Sequence, residues 1–247
     1  MKNLKYVAIL MMACMSQTMF GQTKKNVSAF NKVIISPHIE SILVEGNDES
    51  VTILDSTEPE DKITIEVKGE TLRVYLDDAK EVTKHEKVVR NGVKMKVPIY
   101  KGKVLTIKVT YKSLKSLSVR GEQMTLCEST IDTNKFKLNI YGESQVVFND
   151  VQLSDFDVDM YGESKLFIKK GVIDRQKITV YGEGEIDLVQ VENKTSKLKA
   201  FGEAEFMIQS SGHIKFTAYG EAKLQYKGDA SISKGISFGD FEISQID

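Results

Sequence analysis

The chain has 247 residues, with 34 Lys plus Arg against 35 Asp plus Glu, 3 His, 2 Cys, 3 Pro and no Trp. That length suits one large domain or two small ones, and 41% hydrophobic content supports a real core and excludes a disordered chain. A net charge of -1 with both signs interspersed gives no electrostatic basis for nucleic-acid binding, and two cysteines cannot staple a scaffold or fill a four-cysteine zinc site.

Met1 to Gly21 reads as a secretory signal peptide. Lys2 and Lys5 precede the apolar run from Tyr6 to Met15, and the small Gly21 stands before polar Gln22. The run is about ten residues long, too short to span roughly 30 Å of hydrocarbon as a helix. Cys14 offers a competing reading, a lipoprotein signal cut ahead of its thiol; Ala13 fits the usual Leu-(Ala/Ser)-(Gly/Ala)-Cys box, whereas Met11 and Met12 do not. Cleavage near Gly21 leaves Cys127 as the sole thiol, a small buried hydrophobe rather than a nucleophile. It also takes Lys2 and Lys5 from the 34 cations, so 32 face 35 acids and the mature net charge is -3. No other apolar stretch approaches the length of a membrane span. The expected address is export, to the periplasm, the outer-membrane surface or the medium.

From residue 28 to 112 the chain alternates as short strands without a fixed period. Expected strands are Lys32 to Ile35, Ser41 to Glu45, Val51 to Leu54, Ile63 to Val67, Leu72 to Leu76, Val93 to Val97 and Val104 to Thr110, with Leu114 to Val119 following at the start of the regular part. Turn signals at Gly46-Asn47-Asp48, Pro59-Glu60-Asp61 and Lys68-Gly69-Glu70 separate them. Asp77 to Asn91 is dense in charge and reads as a solvated loop. This half is expected to supply early coils and a cap over the open sheet edge.

From residue 113 to 240 one motif recurs, an aromatic residue (Arg120 in its first copy), Gly and an acid. Its glycines are Gly121, Gly142, Gly162, Gly182, Gly202, Gly220 and Gly239, spaced 21, 20, 20, 20, 18 and 19 residues apart. Apolar residues alternate around each one, as in Phe136, Leu138 and Ile140 before Gly142 and Val146 and Phe148 after it. Strand units that return every 20 residues or so make an all-β, parallel β-helix or solenoid, with coils stacked about 4.8 Å apart. The alternation places the motif glycines on the inward face and their neighbours outward. Stacking then aligns Tyr141, Tyr161, Tyr181, Phe201 and Tyr219 in an aromatic column. Glu122, Glu143, Glu163, Glu183, Glu203 and Glu221 form a parallel acidic one. Arg120 is placed to cap the Tyr141 ring.

These features resemble a known family. The signal segment, the Phe30/Val33/Ile35 opening strand, the paired segments in ITIEVKGETLRVYLD and the serial strand-Gly-acid motifs are similar to the putative auto-transporter adhesin, head GIN domain family. The resemblance covers roughly residues 28 to 230, read as a single domain. It implies an exported protein of the Bacteroidetes type with a right-handed β-helix-like fold, and it carries no established catalytic residues.

Chemistry is sparse. His38, His85 and His213 lie in separate segments, with no metal-ligand spacing, nucleophile elbow or phosphate loop. No cofactor is expected. The aromatic column reads either as a ladder that fixes register or as a platform for sugar rings. Carboxylates about 5 Å apart repel by around 1 kcal/mol per pair at water-like dielectric, an effect that Lys165, Lys199 and Lys223 could offset. Glu183, Glu185, Glu203 and Glu205 cluster acid on acid, which suggests a Ca²⁺ site. The expected function is an adhesin-like or scaffolding face for a glycan or envelope protein. The alternative is a carbohydrate-active enzyme, signalled by a basic residue among carboxylates in a groove.

Overall fold

The computed structural model describes residues 22–90 and 92–247; the signal-type segment 1–21, with Cys14, lies outside the described residues. The described chain is all-β, a solenoid of about 6 turns with roughly 20-residue coils, as the glycine period implies. One 17-stranded sheet holds the coils, and a 2-stranded hairpin stands apart from it. Among the described residues no helix is long and apolar enough to cross a membrane.

The regular coils are long strands that, after a first one ending at its motif glycine, bend through that glycine and keep their ladder. They run Ile131–Gly142, Val151–Ile168, Gly171–Leu188, Val191–Gln209 and His213–Lys227. Each pairs in parallel with its equivalent one coil on: Tyr161 with Tyr181, Gly162 with Gly182, Glu163 with Glu183, and onward to Glu203 with Glu221. Period-two alternation then fills the interior in columns. Leu138, Val158, Ile178, Leu198 and Phe216 make one buried column, and Ile140, Met160, Val180, Ala200 and Ala218 the next. One polar interruption is hydrogen-bonded as a chain, in which only Gln176 Oε1 is left without a partner among the described residues. Gln176 Nε2 donates to Ser196 Oγ at 2.9 Å, Ser196 Oγ to Asn193 Oδ1 at 2.7 Å, and Asn193 Nδ2 to the Ile173 carbonyl at 2.9 Å. Such pairing offsets most of the desolvation cost of a buried amide.

The irregular half builds early coils out of chain order. Lys32–Ile35 lies in parallel between Thr71–Leu76 and Ser116–Gly121, while Ile39–Glu45 lies between Leu105–Tyr111 and Met124–Cys127. Antiparallel strands close that end: Ile63–Lys68 on Thr71–Leu76, Ser50–Ser56 on Leu105–Tyr111, and Thr23–Asn26 on Ser50–Ser56. They cover the edge that a further coil would otherwise occupy.

The charged segment Asp77 to Asn91 is not a loop throughout. His85–Arg90 is a strand paired antiparallel with Val93–Pro98. In this hairpin the second strand is the expected Val93 to Val97 alternation, whereas the first, reading HEKVVR, has no apolar period to read. His38 fixes its base, with Nδ1 2.6 Å from the Gly102 carbonyl and Nε2 2.6 Å from Thr83 Oγ1.

Cys127 is a free, buried thiol, and desolvation pushes its pKa far up. Burial raises the Tyr111 phenol too, helped by Cys127 and Glu45. An unfolded thiol ionises above about pH 8.5 whereas the folded one keeps its proton. The unfolded state then binds fewer protons, so this stability is complete below about pH 8.5 and declines as pH rises. Urea midpoints measured across that range should fall, and Cys127→Ala should flatten the first part of the decline. A parent profile already flat there would contradict the burial.

Candidate functional site

Each coil turns one corner at its motif glycine. Gly142, Gly162, Gly182, Gly202 and Gly220 have φ of 90°, 97°, 112°, 130° and 127°, a region that side chains disfavour. Contrary to the inward placement that alternation implies, Gly142, Gly162 and Gly182 are exposed. The positive φ swings the Cα substituents along the stacking axis, so that a Cβ on Gly202 would sit 2.3 Å from the Gly182 carbonyl oxygen. The glycine permits close approach of one coil to the next at a bend. The interior position is two residues on, where Ser144, Ser164, Ala204 and Ala222 are buried. Ser144 and Ser164 donate to the carbonyls of Gly121 and Gly142 at 2.9 and 3.0 Å. The small residue after Gly-Glu at Ser144, Ser164, Gly184, Ala204 and Ala222 was the available signal for this packing.

The aromatic column forms as its spacing implies. Successive rings from Tyr141 to Tyr219 stack at 5.0, 5.0, 5.0 and 5.2 Å between centroids, within 7° of parallel. Phe238 extends the column at 5.9 Å, and the Arg120 guanidinium caps Tyr141 at 4.5 Å. Arg120 also pairs with Glu81 at 3.0 Å. Because each ring face lies on its neighbour, the ladder shows solvent its edges and phenol hydroxyls, not open faces. Sugar-face stacking therefore has no platform here. Burial, then the charge of Asp159, holds the Tyr161 phenol above its ordinary pKa, which keeps it a hydrogen-bond donor.

Beside the ladder runs a groove of about 920 Å³ whose lining includes Glu143, Glu163, Glu183, Glu203 and Glu221. All five are exposed. A second column, in the register Lys165, Glu185, Glu205, Lys223 and Glu242, forms its other side. Lys165 Nζ lies 2.6 Å from Glu185, so this lysine neutralises the second column, not the motif glutamates. Lys199 aligns with Thr179 and Thr217, away from the groove. On other positions of the coils, acids and bases pair from coil to coil: Asp155 with Arg175 at 2.7 Å, Asp157 with Lys177 at 3.0 Å, Asp174 with Lys194 at 2.6 Å. The five motif glutamates make no ion pair among the described residues. Glu183, Glu185, Glu203 and Glu205 are neighbours in register, yet among the described residues no three His, Cys, Asp or Glu side chains converge as metal ligands. Glu183→Gln removes repulsion from the coils on both sides and should raise stability by about 1 kcal/mol, or roughly 3 °C in melting temperature. A fall in melting temperature would show that Glu183 has a stabilising partner after all.

The sequence profile described as putative auto-transporter adhesin, head GIN domain matches residues 29–230. The chain belongs to this family. Its fold is shared by a putative adhesin from Bacteroides fragilis, at a TM-score of 0.70 and 19% identity over 91% of this chain and 96% of that one. A putative adhesin from Parabacteroides merdae matches at 0.63 and 16%, covering 92% and 96%. A putative lipid binding protein from Parabacteroides distasonis matches at 0.62 and 19%, covering 92% and 96%. At these identities the likeness concerns the fold. A comparison with curated proteins finds no match.

Proposed function

We propose that this member of the family is an exported, non-enzymatic envelope or surface module that holds an extended, uncharged glycan along its Tyr/Glu corner. The unneutralised glutamate column carries this reading. Its self-repulsion costs stability in every coil, although the same coils pair their other charges, and a cost retained in this way suits a surface kept for function. Exposed carboxylates accept hydrogen bonds from sugar hydroxyls, and the phenols beside them donate. Both repeat at the coil spacing, as the units of a polymer do. The groove holds nine carboxylates against Lys165 and Lys223, so an acidic polysaccharide would be repelled.

A screen of neutral glycans and matrix polymers tests this on the chain from Gln22 onward, beside Tyr161→Phe/Tyr181→Phe and Glu183→Gln/Glu203→Gln. Phe201 already stands in the ladder, so the phenylalanine pair keeps the stack and loses only hydroxyls. Binding weakened about tenfold or more by both double variants is the expected result. Undiminished binding would place recognition elsewhere, and binding only of another envelope protein would change the ligand class.

Lys165 beside Glu185, with Lys223 in register between Glu205 and Glu242, favours the second reading, a carbohydrate-active enzyme. New reducing ends or unsaturated sugars released from a bound polymer would establish that reading over the first.

A further inference from the structure

The hairpin His85–Arg90/Val93–Pro98 interrupts the last parallel coil, between Leu76 and Leu105, and pairs with no other strand among the described residues. Residues 84–103 contain seven Lys or Arg and a single acid, Glu86. Lys84 and Lys103 are held by Asp78 and Glu40. Lys87, Lys94 and Lys96 make no ion pair among the described residues, and Lys87 stands directly opposite Lys96 across the two strands. A like-charge cross-strand pair weakens a two-stranded hairpin that is already marginal, unless something anionic meets it.

The outer end of the same hairpin is apolar. Val89, Val93 and Met95 are 64%, 61% and 46% exposed, and Val88 lies opposite Met95. The order from the tip inward is therefore Arg90 opposite Val93, then Val89 beside Lys94, then Val88 with Met95, then the Lys87–Lys96 pair. Apolar residues and cations interleave over the outer pairs of the hairpin, the mixture that the boundary between acyl chains and phosphates at a bilayer surface accepts.

We propose that this hairpin docks the protein on an anionic phospholipid surface. Val89, Val93 and Met95 enter the headgroup boundary, and Lys87, Lys94 and Lys96 meet the phosphates. His38, bridging the Gly102 carbonyl and Thr83, holds the base so that the tip projects. The acidic groove of a second copy would satisfy the lysines but set the three apolar side chains against carboxylates, which is why lipid fits better. The inference does not depend on glycan binding at the Tyr/Glu corner, and either can fail alone.

Co-sedimentation of the chain from Gln22 onward with vesicles tests it. Vesicles of phosphatidylethanolamine with phosphatidylglycerol should bind the chain, vesicles of phosphatidylcholine alone should not, and added salt should weaken binding. Lys87→Glu/Lys94→Glu/Lys96→Glu should lower binding at least about 100-fold, since each cation near such a surface contributes roughly a factor of five to ten. Val89→Ser/Val93→Ser/Met95→Ser should lower it about tenfold or more. These side chains are exposed, and unchanged circular dichroism will confirm folding. Equal binding by either variant, or no preference for the anionic vesicles, would overturn the proposal. So would a lipid-free dimer, seen by sedimentation velocity, that the glutamate variant dissolves.

Discussion

Gly202→Ala should destabilise the protein by more than about 3 kcal/mol, lowering its melting temperature by roughly 10 °C. Two costs combine. Alanine is strained at φ 130°, and its Cβ would stand 2.3 Å from the Gly182 carbonyl oxygen, which is fixed in the ladder. Neither coil can retreat without breaking the parallel register that aligns Tyr181 with Phe201 and Glu183 with Glu203. Gly69→Ala provides the control, because Gly69 has φ 60° with nothing within 4 Å of its would-be Cβ. That change should cost only about 1 kcal/mol, the left-handed strain alone. Thermal melts of the two variants compare a corner glycine with a turn glycine. Similar melting temperatures would mean that the corners are not close-packed.

Phe136→Ala should cost about 3 to 5 kcal/mol. Its ring is wholly buried, 5.8 Å from Phe148 across the coil and 6.2 Å from Phe156 one coil on. Removing it leaves a cavity between rings held by separate strands, so the site cannot simply collapse. Phe238→Ala should change stability by under about 1 kcal/mol, since that ring is 67% exposed and meets Tyr219 at a tilt. Urea titration should show a lower midpoint for Phe136→Ala at an unchanged slope. Equal midpoints for the two variants would place Phe136 outside the core.

The regular coils are legible in sequence because register and chain order coincide there. A repeat near 20 residues fixes which residues stack, and alternation fixes which point inward. The conformation of the motif glycine is not legible in that way. Ile140, Gly142 and Ser144 keep the parity of the interior without a break, and only the backbone angle shows that the middle one faces out along the axis. The first half hides its coils because Lys32–Ile35 sits between strands drawn from both later segments. The first strand of the hairpin, His85–Arg90, hides because its apolar residues Val88 and Val89 are adjacent instead of alternating, and strand Thr23–Asn26, reading TKKN, has no apolar alternation at all. At the candidate site, the Tyr and Glu columns follow directly from spacing. What spacing could not supply was the partner of each charge. Lys165 looked like a counterion for the motif glutamates and instead serves Glu185. The closed ring faces of the ladder likewise depend on side-chain angle, which a one-dimensional pattern does not hold.

The most direct test of the binding reading is the affinity of a neutral oligosaccharide series of increasing length, drawn from whichever polymer the screen selects. A site repeated coil by coil from Tyr141 to Tyr219 spans roughly 20 Å. Affinity should therefore rise with each added sugar until that span is filled, then level off, and Glu183→Gln/Glu203→Gln should reduce the gain per sugar. A monosaccharide that binds as tightly as the longest member would contradict the account, because it would mean one local pocket and leave the stacked columns as architecture.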